Sequence, residues 1–341
     1  MDKSEKFAWR IPWKGIALTF MVSMSALVIV VWKMANPTRV LQELGEYPLT
    51  YFFGALFFVL AAWVVDGQRI GTLAKAAGHD VPWWQMAITL GAANFLTLVT
   101  PFAGGGGALV VYFLYRRGLK GSTATAIVMA GGLAGQLSLA SLGLLVFSTL
   151  KNVPPDLASY INGVRIGALL YIAVLITLLV LIVRSKRFFK WIFRRKDQSR
   201  PAVWIEEFRE SMYYIFVRRG PYFLKCFAIA FFYYVVYFTG SFLLLSGFGV
   251  YSPWLRYGIA VLFGIAPVFS PIPGGAGVAE GIAWFVLDGV LTADLLSTFI
   301  VLWRSVVFYI PIVLGGTIFA LMAMKWASKV ILPEEPDHTK G

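Results

Sequence analysis

Residues 100–107 read TPFAGGGG and residues 270–277 read SPIPGGAG, so the pattern [ST]-P-x-x-G-G-x-G occurs twice at an offset of 170 residues. Each copy lies between two apolar limbs of about 17 residues, in regions 82 to 117 and 253 to 287. The same offset pairs Trp84 with Trp254, although identity in the limbs is otherwise sparse. A break of Pro and Gly centred in an apolar stretch is the mark of a helix interrupted within a membrane.

Composition agrees. Of 341 residues, 59% are hydrophobic and only 14% charged, whereas a soluble domain carries about a quarter charged residues. The net charge of +13 gathers near the ends of apolar runs, which argues against a nucleic-acid partner. Cys226 alone forms no internal disulfide, and His79 and His338 alone build no Cys/His metal cluster. No metal site and no cofactor are expected.

A helical span needs about 20 mostly apolar residues. Runs near 15 to 32, 48 to 65, 123 to 149, 163 to 183, 221 to 246 and 294 to 324 qualify. The first, behind the basic start Lys3 to Lys14, is too long for the core of a signal peptide and reads as a span with its amino end inside. The last is overlong and holds Pro311 and Gly315-Gly316, so a kinked or tilted helix is expected.

Positive charge sets the orientation, because Lys and Arg accumulate on the cytoplasmic side. Between Arg184 and Arg219 lie eleven Lys/Arg against four Asp/Glu, so this segment is expected inside. Counting spans backward, region 82 to 117 begins and ends inside, with Arg69 to Lys75 in a cytoplasmic loop. Counting forward, 248 to 252 and 288 to 293, both free of Lys and Arg, lie outside, and region 253 to 287 begins and ends there. Lys33 and Arg39 in an outer loop are one small violation.

The expected fold is therefore an all-α polytopic membrane protein with about six full spans and two opposed, Pro/Gly-tipped membrane hairpins forming an inverted-topology repeat. Residues 1–341 form a single membrane domain, with half one over about 48–149, a basic interfacial segment over about 184–220, and half two over about 221–324. Both termini are expected in the cytoplasm of a bacterium.

Helix amino ends carry unpaired N–H groups and the positive end of the dipole, which suits an anion such as phosphate. Pro101, Gly104, Gly105, Gly106 and Gly107 at one tip, with Pro271, Pro273, Gly274, Gly275 and Gly277 at the other, are candidate headgroup-binding residues. A side chain at Gly105 or Gly275 is expected to block that approach while the fold survives. The competing view is that these glycines only let helices pack closely, and packing is the expected role of Gly131-x-x-x-Gly135.

Ionisable groups at membrane depth cost about 2.5 to 3.5 kcal/mol on insertion scales, so each calls for a reason. Glu280, three residues after Gly277, and Arg304, about ten residues into the last helix, both fall near the midplane. Either they form a structural ion pair, or Arg304 holds a lipid phosphate with Glu280 as counter-ion or coupling group. Asn94 and Gln136 are lesser candidates for a polar lining, and Asp66, at a span end, reads as solvated. The face Trp204, Phe208, Met212, Ile215 beside the basic residues 186 to 196 reads as an interfacial helix on anionic cytoplasmic-leaflet lipid.

At the tips the chain resembles the membrane part of the lysylphosphatidylglycerol synthase family, flippase-like integral membrane proteins. The residues that carry the likeness are Asn94 through Thr100-Pro101 with Gly104 to Gly107, then Pro271 through Glu280, and Arg304. The hydropathy likeness covers most of residues 10 to 330. The resemblance implies movement between leaflets of phospholipids with charged headgroups or of polyprenyl-phosphate-linked sugars. Bifunctional relatives add a soluble aminoacyltransferase domain, for which this chain, ending at Gly341, leaves no room; it is expected to synthesise nothing and to have a separate lipid-synthesising enzyme as partner. Relatives also look to carry an acidic-basic pair after the first tip, where this chain has Gly131, Gly132 and Gln136.

The leading functional reading is a lipid transporter, with membrane lipids as substrate. A proton- or ion-coupled secondary transporter of a small soluble anion is the alternative, since inverted repeats and broken helices suit both. A membrane-embedded enzyme is disfavoured: no His lies in a span, and HExxH and G-x-S-x-G are absent. With no P-loop, ATP is not the direct drive.

Overall fold

The computed structural model describes residues 35–100, 104–151, 155–184, 200–250, 252–265 and 272–331, together with Met21, Ser25 and Val28. The expected first span and the residues Pro101 and Pro271 lie outside these. Among the described residues 88% are in helices and none in strands. In order come α1 (Pro37–Glu46), α2 (Leu49–Ala76), α3 (Trp83–Val99), α4 (Gly104–Arg116), α5 (Gly121–Thr149), α6 (Pro155–Arg184) and α7 (Arg200–Tyr213). Then follow α8 (Gly220–Ser246), α9 (Pro253–Ile265), α10 (Val278–Leu287), α11 (Ala293–Arg304) and α12 (Ile310–Ile331).

Among the described residues, five helices are long and apolar enough to cross a membrane: Leu49–Ala76, Gly121–Thr149, Ala158–Leu181, Gly220–Ser246 and Ala293–Trp326. They correspond to five of the six expected spans. Both Pro/Gly-centred regions are broken as their sequences require, α3 from α4 and α9 from α10.

The second expected span needs correction. Helix α2 does not stop at 65 but runs to Ala76, so Asp66 and Arg69 lie inside a helix rather than in a loop. Asp66 is not solvated: its carboxylate receives Arg69 Nε at 2.5 Å, with the two side chains 13% and 14% exposed. Paired three residues apart on one face, the two charges neutralise each other and let the helix continue.

The last span is one 34-residue helix in which α11 passes into α12 through a π-helical turn at Ser305–Tyr309. Pro311 follows at once, and because it has no N–H to give, the wider turn absorbs the missing bond. Gly315-Gly316, expected to share in the kink, serve a crossing instead. A Cβ at Gly315 would sit 2.6 Å from the carbonyl oxygen of Gly91 in α3, so the two backbones touch. Gly240 of α8 and Gly67 of α2 allow similar approaches, to Ala55 and Ala87.

Buried side chains form two clusters. One gathers α8 to α11 with the end of α5 around Phe147, Phe238 and Phe299; the other gathers α3, α4 and the start of α5 around Met86, Leu114 and Phe308. Helix α7 joins the second cluster. Of the face expected to lie on lipid, Phe208, Met212 and Ile215 are buried against protein, and only Trp204, stacked on Phe208, is exposed. The helix is held by Glu207, which accepts from Lys120 Nζ at 2.7 Å and Ser122 Oγ at 2.8 Å at the start of α5. Those two hydrogen bonds, first Lys120 and then Ser122, hold the Glu207 carboxyl below the usual carboxylate range.

Candidate functional site

The second tip is built by glycine. Ile272-Pro273-Gly274-Gly275 turns back with Gly275 N–H donating to Ile272 O at 2.9 Å. Gly274 has φ 61° and ψ 11°, and Pro followed by a residue with positive φ is the signature of a type II turn. Gly275 and Gly277 also have positive φ, 64° and 81°. Any side chain there is strained, and a Cβ at Gly274 would also strike the ring of Phe308. The expectation that a side chain at Gly275 leaves the fold intact therefore fails on backbone grounds.

Helix α10 starts at this tip, and its amino end is closed from within. Glu280 Oε2 accepts the N–H of Gly277 at 2.8 Å, while Glu280 Oε1 faces Arg304 Nε at 2.8 Å. Arg304 Nη1 donates to the carbonyl of Gly274 at 3.1 Å, and its guanidinium lies 4.2 Å from the centre of the Phe308 ring. Each side chain of the pair is 2% exposed. The arginine thus ties the last helix to the tip by ion pair and carbonyl, while the ring of Phe308, one turn on in its own helix, covers the guanidinium.

The first tip is closed differently. Thr100 Oγ1 accepts the N–H of Gly105 at 3.0 Å and donates to Leu96 O at 2.6 Å. A Cβ on Gly105 would sit 2.8 Å from the Thr100 side chain, and one on Gly106 would lie 2.6 Å from the Ala93 carbonyl. Gly105 and Gly106 serve the close packing of α4 on α3. Blocking a headgroup at Gly105 without disturbing this cap is not feasible.

A cavity of about 230 Å³ lies between α3, α8, the second tip and the last helix. Asn94 and Thr97 of α3, Tyr233 and Tyr237 of α8, Gly274 and Arg304 stand on its wall. Gly275 is there too, whereas Gly104 to Gly107 are not. Trp303 Nε1 donates to Ser241 Oγ at 3.1 Å and fixes the last helix against α8. Asn94 joins the site; Gln136 does not, its amide oxygen accepting from Tyr171 of α6 at 3.2 Å as a bond between helices. A cavity with tyrosine hydroxyls, an amide and a guanidinium on its wall is chemically suited to an anionic headgroup.

The profile of the lysylphosphatidylglycerol synthase TM region matches residues 15–315. The chain belongs to that family. Comparison with curated proteins found no match. The family match and the five spans make the chain a multi-pass membrane protein.

In this member of the lysylphosphatidylglycerol synthase TM family, a second polar centre escaped the reading of the sequence. Arg69, paired with Asp66, donates through Nη1 to the carbonyl of Gly131 in α5. Gly131 and Gly135 are therefore more than packing contacts: a Cβ on either would sit 3.4 Å from Arg69 Nη1. The tyrosines of α8 were missed as well. Tyr233, Tyr234 and Tyr237 recur at one-, three- and four-residue spacing in an otherwise apolar helix, and Asp66 and Arg69 at i and i+3; both spacings were the available signals.

Proposed function

We propose that this protein is a flippase-like transporter that moves a lipid with an anionic or phosphate-linked headgroup between leaflets. The headgroup occupies the cavity beside Arg304 while the acyl or prenyl tails stay in the bilayer. The observation that carries this reading is a guanidinium at membrane depth on the wall of a 230 Å³ cavity, facing the Glu280 carboxylate and donating to the Gly274 carbonyl. Phospholipids and polyprenyl-phosphate-linked sugars both offer the phosphate that an arginine binds bidentately.

With the pair 2% exposed, the anion reaches Arg304 only by exchanging places with Glu280. Protonation of Glu280 accomplishes that exchange and couples headgroup entry to a proton, whereas a swing of its carboxylate toward Gly277 N–H alone accomplishes it without one. The two Pro/Gly-tipped hairpins act as opposed halves of an inverted repeat, the basic segment rests on anionic cytoplasmic-leaflet lipid, and both termini lie in the bacterial cytoplasm. This membrane domain catalyses no reaction, and a separate enzyme makes its lipid.

Native mass spectrometry of lipids retained after gentle purification tests this reading. A phosphate-bearing lipid carried by the parent and lost from the stable double variant Glu280→Gln/Arg304→Gln is expected. Retention of no lipid, together with binding of a soluble anion that the same double variant abolishes, would instead establish the small-anion transporter.

A further inference from the structure

The Asp66–Arg69 pair repeats the chemistry of Glu280–Arg304. In each, a guanidinium takes a carboxylate at Nε and donates Nη1 to a glycine carbonyl, Gly274 for Arg304 and Gly131 for Arg69. The placement is related too. The 170-residue offset of the two tips carries Arg304 onto Ala134, which lies between Gly131 and Gly135, where the Arg69 guanidinium rests. Helix α2 thus supplies to the first half what the second half carries in its own last helix.

Tyrosines of α8 stand between the two centres, lining the cavity of the one and edging the other. The cavity at Arg304 extends along α8 over Tyr237 and Tyr233 to Tyr234. A Cβ built on Gly135 would stand 3.4 Å from Arg69 Nη1 and 3.8 Å from the Tyr234 hydroxyl, so those two groups face each other across the bare glycine. The Asp66–Arg69 side chains are also more accessible, at 13% and 14%, than the 2% of the inner pair. A purely structural pair needs no tyrosine hydroxyl at its edge from a helix whose tyrosines also line the cavity of a second arginine.

We propose that Arg69 is a second phosphate-binding station, to which a lipid headgroup passes from Arg304 along the tyrosine face of α8. This rests on the lipid-transport reading. Asp66 releases Arg69 as Glu280 releases Arg304, and the hydroxyls of Tyr237 and Tyr234 donate to the phosphate between the two guanidinium groups. Gly135 keeps the last gap open.

Gly135→Ala tests the station without threatening the fold. The added methyl meets only ordinary van der Waals neighbours, and alanine favours a helix over glycine. Tail-labelled fluorescent phosphatidylglycerol is followed in proteoliposomes by chemical bleaching of the outer leaflet, for the parent, Gly135→Ala, Asp66→Asn/Arg69→Gln, and the control Gly132→Ala, whose methyl meets nothing. Gly135→Ala and the double variant are expected to melt no lower than a few degrees below the parent yet transport about tenfold more slowly, the scale of one lost charge-assisted contact. Gly132→Ala is expected to match the parent. Parent-like rates in both test variants overturn the second station alone. A parent that moves no lipid overturns the transport reading and this inference with it.

Discussion

Arg304 reaches Glu280 at 2.8 Å from a different helix, and Glu280 in turn closes the amino end of its own helix by accepting from Gly277. One carboxylate thereby answers two demands of the membrane interior, an arginine charge and an orphan backbone N–H. Nothing in this geometry is idle, so the pair contributes to stability whether or not it also binds a headgroup.

The first prediction follows from that. Removing either partner leaves a buried charge unopposed, at about 3 to 5 kcal/mol, whereas replacing both by neutral groups is far less costly. In thermal melts of detergent-purified protein, Arg304→Gln is expected to fall well below the parent. Glu280→Gln/Arg304→Gln is expected to recover most of the loss, the amide oxygen at position 280 still accepting from Gly277. Equal losses in the single and double variants would show the two residues to be uncoupled.

Two glycines of equal standing in the sequence are expected to behave oppositely. Gly274 has a positive φ and Phe308 against it, so Gly274→Ala should destabilise by at least about 1 to 2 kcal/mol. Gly104 lies at a helix start with open space around it, so Gly104→Ala should be neutral or stabilise by up to about 1 kcal/mol. Melting temperatures of the two variants decide it; similar shifts would contradict the turn geometry at the second tip.

The docking of α7 on α5 carries a pH signature. Glu207 has its carboxyl held below the usual range by Lys120 and Ser122, so its contribution is fully present above about pH 4.3 and is lost as pH falls through the lower folded value. Hydrogen exchange over residues 203–213, corrected for intrinsic rates, should therefore stay protected to below the ordinary carboxylate range. In Glu207→Gln the acid-dependent part of that protection should disappear. Loss of protection at pH 5 to 6 in the parent would refute the assignment.

Orientation is testable separately. The charge distribution predicts residues 184 to 220 inside and 288 to 293 outside. Lys190→Cys and Val290→Cys should label from opposite faces of the membrane with a polar reagent, Cys226 being buried. Labelling from the same face would remove the inverted repeat.

Much of this was legible in the sequence because backbone chemistry in hydrocarbon is unforgiving: the Pro/Gly centres, the limbs beside them and the overlong last helix all follow from apolar length and missing donors. Glu280 and Arg304 announced themselves as charges without water, and the structure brings them together. The second pair stayed hidden because a hydropathy window ends at the first charge, whereas Asp66 and Arg69 cancel each other on one helical face and let α2 run eleven residues further, from 65 to Ala76. The role of Gly131 and Gly135 was equally invisible, since only the folded chain reveals that a guanidinium from α2 lies against both glycines. Likewise, the apolar stripe of α7 looks the same whether it faces lipid or protein, and burial of Phe208, Met212 and Ile215 decides for protein.

The most direct test of a headgroup site at Arg304 is transport by the stable double variant. Glu280→Gln/Arg304→Gln keeps the cavity and the cap on α10 but removes the guanidinium that offsets dehydration of a phosphate. Reconstituted in vesicles with tail-labelled phosphatidylglycerol, it should be folded and monodisperse yet exchange lipid between leaflets no faster than protein-free vesicles, while the parent exchanges readily. Parent-like exchange by the double variant would reduce the pair to a structural bridge and contradict the account.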